Sequence, residues 1–393
     1  MITGLARLLA DPSRLNGRPY ALLAHGASVT SRAEPAHLAL TRAGSPPAAL
    51  LGPEHGYYGI EQDMVAAAGG SDPWTGLPIL SLYGDDEGSL RPRPDTFAGL
   101  DLLVIDLQDV GSRYYTYAAT AVWAAEAAAA AGCQVWVLDR PNPLGGEIIE
   151  GNLPEPGYES FVGAFDMPVR HGLTLGEIAT YQAVQGGWQE ALEVWTLAGW
   201  RPSMRWPETH LPWIAPSPNM PTVATALVYP GGCLIEATDL SEGRGTTRPF
   251  QLIGAPGIDP PALAERLRRR SLPGVRFLPT YFRPQFQKHA GEVCAGVEIV
   301  VVDDAAFEPL RTGVELLAAL AELVPEVLRW REKPYEFVTD RPALDLLAGG
   351  PALRRALESG EGLNEWIASW AADEAEFRRR RRPALLYPRE ERP

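Results

Sequence analysis

Short apolar runs, each stopped by a glycine, a proline or an acid, recur through the first third of the chain at 20–24, 48–51, 79–82, 102–107 and 135–138. They are continuous rather than alternating, which suits strands buried on both faces of a parallel sheet. The alanine-dense stretch 114–131, closed by Gly132, reads as a helix with glycine at its C′ position. It joins two of the runs into a right-handed βαβ unit. The pattern predicts an α/β fold, a Rossmann-like and mostly parallel sheet with helices on both faces. From about 145 to 248 proline, glycine and tryptophan become frequent, and a helix starts near Thr174 in the capping arrangement T-x-x-E with Glu177. Past residue 250 the pattern is plain α+β, with helices expected at 260–270, 309–323 and 363–382 and a strand at 297–302. We therefore expect a Rossmann-like catalytic domain over 1–235 and a smaller α+β C-terminal domain over 236–393 that completes a cleft.

Composition narrows the function classes. With 46% hydrophobic and 21% charged residues the chain is an ordinary globular one. Its net charge of −14 argues against nucleic acid as a partner. The arginine run 378–382 closes a helix that carries Asp373, Glu374 and Glu376, so it reads as a solvated helix end and not as a polyanion site. Cys133, Cys233 and Cys294 lie far apart, which disfavours a zinc site of cysteines or a disulfide framework. Residues 1–16 read as a short amphipathic helix (Leu5, Leu8, Leu9) ended by Asp11-Pro12, without the pattern of a signal peptide. No stretch reaches the ~20 apolar residues of a membrane span. The expectation is a soluble protein, either cytoplasmic or an exported form lacking its signal; the oligomeric state is left open.

Chemistry collects where the apolar runs stop. The second run ends in Gly52-Pro53-Glu54-His55-Gly56, placing an acid and an imidazole past the carboxyl end of a strand, where open α/β sheets bind ligands. The fourth runs into Asp106, Asp109, Arg113 and a helix start with Tyr114 and Tyr117; the fifth into Asp139, Arg140 and Asn142 between two prolines. Further strings carry His171 and Glu177, Ser217 and Asn219 in a proline frame, and Glu242 with Arg244 between glycines. An arginine so placed suits a carboxylate.

No G-x-G-x-x-G follows the first run, and there is no P-loop, G-x-S-x-G elbow or H-E-x-x-H helix. No cofactor and no metal are expected. His25, His55 and His171 are too irregularly spaced to predict a metal site, although a metal-dependent hydrolase on His25, His55 and an acid remains an alternative. Plentiful carboxylates with aromatic, asparagine and arginine residues on the same loops favour glycoside hydrolysis, which commonly uses two carboxyl groups about 5 to 10 Å apart. Tyr57, Tyr114 and Tyr117 keep a tyrosine nucleophile open.

Taken together and in order, G-P-E-H-G, S-L-Y-G from Ser81 to Gly84, D-L-Q-D-V-G-S-R-Y-Y-T-Y, L-D-R-P-N-P, R-H-G-L-T-L-G-E, P-S-P-N-M-P-T and S-E-G-R-G-T-T-R-P-F resemble the NamZ-type exo-β-N-acetylmuramidases. The resemblance implies a glycoside hydrolase that releases N-acetylmuramic acid from non-reducing ends of peptidoglycan fragments, with a peptidoglycan-derived sugar or muropeptide as partner. It places the leading catalytic glutamate on Glu54, and an acid and an arginine of the family on Asp109 and Arg113. We expect Glu54 to protonate the leaving oxygen, Asp109 or Asp106 to face the oxocarbenium-like centre, and His55 to orient. Arg244 or Arg140 would hold the lactyl carboxylate, with His25, Arg113, Tyr117, Asn142, His171, Ser217, Asn219 and Glu242 around the sugar. The chain departs from the family at His25, in place of a T-N-x-T-G turn, and at His210, in place of a glycine. A peptidoglycan-binding protein without catalysis is the other alternative.

Overall fold

The central strands of the first sheet are largely apolar because they serve two cores. In β1 (Tyr20–Ala24) the residues Tyr20, Leu22 and Ala24 face one cluster, while Ala21 and Leu23 face the other. The computed structural model, which describes residues 1–389, shows the same alternation along β2 (Ala49–Gly52), β5 (Leu102–Asp106) and β6 (Gln134–Leu138). The helices Tyr117–Ala130 and Leu175–Gly186 cover one face, and the helices Gly4–Ala10 and Ala36–Arg42 the other. β3 (Gly70–Ser71), β4 (Pro78–Ser81) and β7 (Leu192–Trp195) complete seven strands in the order β3-β4-β2-β1-β5-β6-β7. Only β3 runs antiparallel to its neighbour. The chain leaves β1 in both directions, so the order switches between β1 and β5. The loops after these strands open at one edge.

A smaller antiparallel sheet follows, ordered β8-β10-β9, from β8 (Leu252–Ala255), β9 (Val275–Phe282) and β10 (Cys294–Val301). It packs under the helix Pro260–Arg269, which in turn packs against the helix Pro309–Leu323. The latter crosses the helix Val223–Gly232 at backbone contact: a Cβ on Gly231 would lie 2.0 Å from the Pro309 carbonyl oxygen. One buried apolar cluster continues from the first sheet through this crossing to Trp370 and Phe377. The halves thus share a core, unlike domains joined by a small polar interface. The expected helix at 363–382 is Leu363–Arg380, and its basic end is paired within the fold, Arg378 with Glu374 and Arg379 with Glu376. Among the described residues no helix is long and apolar enough to cross a membrane.

Polar groups are also buried where the halves meet. Glu150 accepts a hydrogen bond from the backbone N–H of Arg311 at 2.9 Å, and its other carboxyl oxygen is buried without a partner. Burial pushes its carboxyl up to about 7, against an ordinary value of 4.5. The folded protein therefore keeps a proton that the unfolded chain releases, and stability falls as pH rises from about 4.5 to about 7. Glu150→Gln removes that titration. The variant should match the wild type near pH 4 and exceed it by about 1–3 kcal/mol at pH 8, measured by urea unfolding at each pH.

Candidate active site

The turn after β2 is what presents the first acid. Gly52 ends the strand against the backbone of Tyr57, where a Cβ would come within 2.6 Å of the Tyr57 nitrogen. His55 adopts a left-handed conformation, φ 69°, which few non-glycine residues take outside tight turns. The turn sets the Glu54 and His55 side chains into a small cavity of about 40 Å³ at the carboxyl edge of the sheet. Tyr114, Tyr115 and Thr116 line it from the approach to the helix Tyr117–Ala130, and Ser217 and Asn219 from the proline-framed loop. The far wall is C-terminal: Glu236, Arg244, Phe250, Tyr335 and Glu336.

Glu54 is buried, its Oε2 accepting from the Thr116 hydroxyl at 2.7 Å and its Oε1 facing the Met64 N–H at 3.5 Å. Glu336 faces the same cavity and accepts from the Tyr83 hydroxyl at 3.1 Å. Burial and the nearby Glu54 charge hold the Glu336 carboxyl well above the usual range, against the opposing Tyr83 hydrogen bond. Glu336 and Phe337 both take positive φ, 46° and 66°, so the segment that carries the second acid is locally strained. His55 Nδ1 lies 3.0 Å from the Glu61 carbonyl, so Nδ1 carries the proton and Nε2 is left as an acceptor.

Arg244 is the cation of the cavity, and its charge is already saturated by carboxylates, although its Nε is buried without a hydrogen bond. It pairs with Glu236 at 3.0 Å, Glu242 at 3.1 Å and Asp63 at 3.6 Å, and its guanidinium lies 5.0 Å from the Phe250 ring centre. Burial works against its charge, but Glu236, Asp63 and Glu242 together raise its pKa well above the usual value. Burial likewise opposes the Glu242 charge, yet Lys288, at 2.9 Å, and Arg244 bring that carboxyl down to about 2. Glu236 also accepts from the Tyr335 hydroxyl at 2.8 Å.

Of the expected site residues, Glu54, His55, Ser217, Asn219 and Arg244 line this cavity, with Glu242 directly behind Arg244. The others do not line it. Asp106 is fully buried in a two-pronged pair with Arg140 at 2.6 and 2.9 Å, so neither is free for substrate. Asp109 accepts from the Gly111 N–H at 2.6 Å and lies 3.5 Å from His171, away from the cavity lining. Neither Asp106 nor Asp109 lines the cavity with Glu54; the carboxyl groups that do are Asp63, Glu236 and Glu336, and of these Glu336 is the one not paired with Arg244. Arg113 donates to the carbonyls of Asn152, Met167 and Leu347, and Asn142 donates to that of Leu173. His171 accepts from the Leu173 N–H at 3.1 Å.

Tyr117 donates to the Pro216 carbonyl at 2.8 Å, and burial raises its phenol far above the usual value, which argues against a tyrosine nucleophile. The same burial raises Tyr57 and Tyr114. The ring nitrogens of His25 each lie 2.9 Å from a backbone N–H, of Ala27 and Gln108, so no lone pair of His25 is open to a metal. Among the described residues no group of three His, Cys, Asp or Glu is placed to hold one. His210 is exposed at the left-handed end of the helix Trp206–Thr209, a position that suits glycine. Asp63, Glu236, Tyr335 and Glu336 were not anticipated; Glu336 stands in Lys333-Pro-Tyr-Glu-Phe-Val338, where no glycine marks a turn.

Comparison with known proteins gives one consistent result. A family model described as exo-β-N-acetylmuramidase NamZ, N-terminal, matches residues 20–224, and its C-terminal companion matches residues 227–387. A peptidoglycan β-N-acetylmuramidase NamZ of Bacillus subtilis (strain 168) is 39% identical over 387 residues, 98% of this chain and 91% of the relative. Two crystal structures of DUF1343 family proteins from Bacteroides fragilis NCTC 9343 are similar over nearly their full lengths. One has a TM-score of 0.86 at 31% identity, covering 98% of this chain and 99% of the other. The second has a TM-score of 0.74 at 26% identity, covering 99% of each.

The saturation of Arg244 has a measurable consequence. Arg244→Leu leaves buried carboxylates unpaired and should lower the unfolding free energy by about 3–5 kcal/mol in urea denaturation.

Proposed function

The chain belongs to the NamZ family of exo-β-N-acetylmuramidases, and we propose that Glu54 and Glu336 are the carboxyl pair with which it works. It is an exo-acting glycoside hydrolase that releases N-acetylmuramic acid from the non-reducing ends of peptidoglycan fragments. The observation that supports this assignment of the pair is the meeting in one cavity of two buried carboxyl groups that Arg244 does not pair, one from each half of the chain. Packing like charges together without solvent destabilises a fold. Such an arrangement is characteristic of sites that need one carboxyl protonated and its neighbour charged. A protein that only bound the sugar would have no use for it.

The environments divide the roles in the reverse of the order expected from the sequence, where Glu54 was the proton donor. Glu54 accepts a hydroxyl hydrogen bond on one oxygen and faces a backbone N–H with the other, so both oxygens serve as acceptors. Glu336, desolvated and facing Glu54, keeps its proton. With Tyr83 donating to Oε2, Oε1 is the atom that carries the proton to the leaving glycosidic oxygen. Glu54 then faces the positive charge that develops at the anomeric carbon. His55 Nε2 accepts from a sugar hydroxyl, and Ser217 and Asn219 offer hydrogen bonds from the opposite wall. In this reading residues 1–235 supply the anion and residues 236–393 supply the acid and close the cleft.

A muramide with an activated aryl leaving group and a natural disaccharide test the division together. Glu54→Gln should lower kcat by about 10²–10⁴ on both. Glu336→Gln should lower it comparably on the disaccharide but far less on the aryl muramide, whose leaving group needs no proton. The rate on the disaccharide should fall as pH rises through the Glu336 pKa, and that limb should vanish in Glu336→Gln. Full activity in Glu54→Gln would sink the assignment.

A further inference from the structure

An N-acetylmuramic acid unit carries a lactyl carboxylate, and none of the arginines expected to receive it is free. Arg140 is spent on Asp106, Arg113 on three carbonyls, and Arg244 on three carboxylates. A carboxylate pushed into the cavity would meet Glu54, Asp63 and Glu236. We propose that Arg331, at the rim, receives the lactyl carboxylate and selects the anionic sugar over its uncharged relatives. This inference rests on the muramidase reading of the preceding subsection.

Arg331 sits on the segment that bears Tyr335 and Glu336, and its backbone N–H is anchored to the Ala237 carbonyl at 2.8 Å. Its guanidinium lies 5.3 Å from the ring centre of Tyr335, a wall residue of the cavity. Nη2 donates to the Pro334 carbonyl at 3.3 Å and lies 3.7 Å from the sulfur of Met64, whose own N–H faces Glu54. The guanidinium therefore bridges the two loops that flank the entrance. Its Nε is buried without a hydrogen-bond partner, and among the described residues no carboxylate lies within ion-pair distance of it. A half-buried guanidinium beside an aromatic ring, paired with no carboxylate among the described residues and with Nη1 uncommitted, is a receptor for a carboxylate. Its place outside the acid-lined cavity orients the sugar. The charged substituent turns outward, and the uncharged ring turns toward Glu54 and Glu336.

The test compares an aryl N-acetylmuramide with its lactyl methyl ester, which keeps the shape and loses the charge. The wild type should prefer the acid in kcat/KM by about 10- to 100-fold, the range of a charge-assisted hydrogen bond. Arg331→Ala should abolish the preference by slowing the acid and leaving the ester within about twofold, a small loss expected from the missing side-chain packing. Arg331→Lys should restore part of the preference, and inhibition by free N-acetylmuramic acid should weaken in parallel in Arg331→Ala. A wild type that does not favour the acid, or an Arg331→Ala variant that still does, overturns the proposal while leaving the hydrolase assignment standing. A wild type that hydrolyses neither compound overturns the muramidase reading itself. Equal losses on both substrates in Arg331→Ala and Arg331→Lys would show a structural role and also overturn it.

Discussion

The buried guanidinium of Arg244 is the constraint on which the site depends. A cation can be held out of water only if carboxylates meet it, and here they come from three parts of the chain: Asp63 after β2, Glu236 after the helix Val223–Gly232, and Glu242 two residues before it. Each tie reaches one step further. Asp63 fixes the loop whose Met64 N–H faces Glu54, and Glu236 takes the hydroxyl of Tyr335, the residue before Glu336. One cation thereby positions both carboxyl groups of the pair without touching either. Lys288 offsets part of the remaining negative charge by pairing with Glu242.

The fold was legible where burial is uniform. Runs such as Leu102–Asp106 are apolar at every position because both faces are covered, and the text marks their ends with glycine, proline or an acid. Strand β8 escaped notice although it is buried throughout, because it is four residues long and interrupted by Gly254; β7 and β9 escaped for the opposite reason. β7 is a half-buried edge, and β9 alternates buried and exposed positions around Pro279. The helix expected from 114 begins at Tyr117, which frees Tyr114, Tyr115 and Thr116 to face the cavity.

Within the site the sequence pointed to Glu54 but could not rank the acids around it. Asp106, Asp109 and Glu54 all follow apolar strands and look alike as text. What separates them is the neighbouring strand end: β6 delivers Arg140 onto Asp106, whereas β2 has no arginine beside it to neutralise Glu54. Pairing across strands is a property of the assembled sheet, invisible to spacing along the chain. Glu336 lay further from view, because its left-handed conformation is held by tertiary contacts and not by a glycine.

The distribution of charge also resolves an apparent conflict, an acid-lined cavity in a protein of net charge −14 that takes an anionic sugar. Two unit charges 4 Å apart interact by about 4 kcal/mol near a protein surface and by only about 1 kcal/mol in bulk water. A lactyl carboxylate beside Glu54 would therefore oppose binding by several kcal/mol, while the same carboxylate on a rim arginine is attracted. Negative charge in the interior serves the positive transition state, which exists only at the anomeric carbon. Positive charge at the rim serves the ground-state anion. Because the two are separated in space, the cavity can stabilise a cation and admit an anion without either function weakening the other.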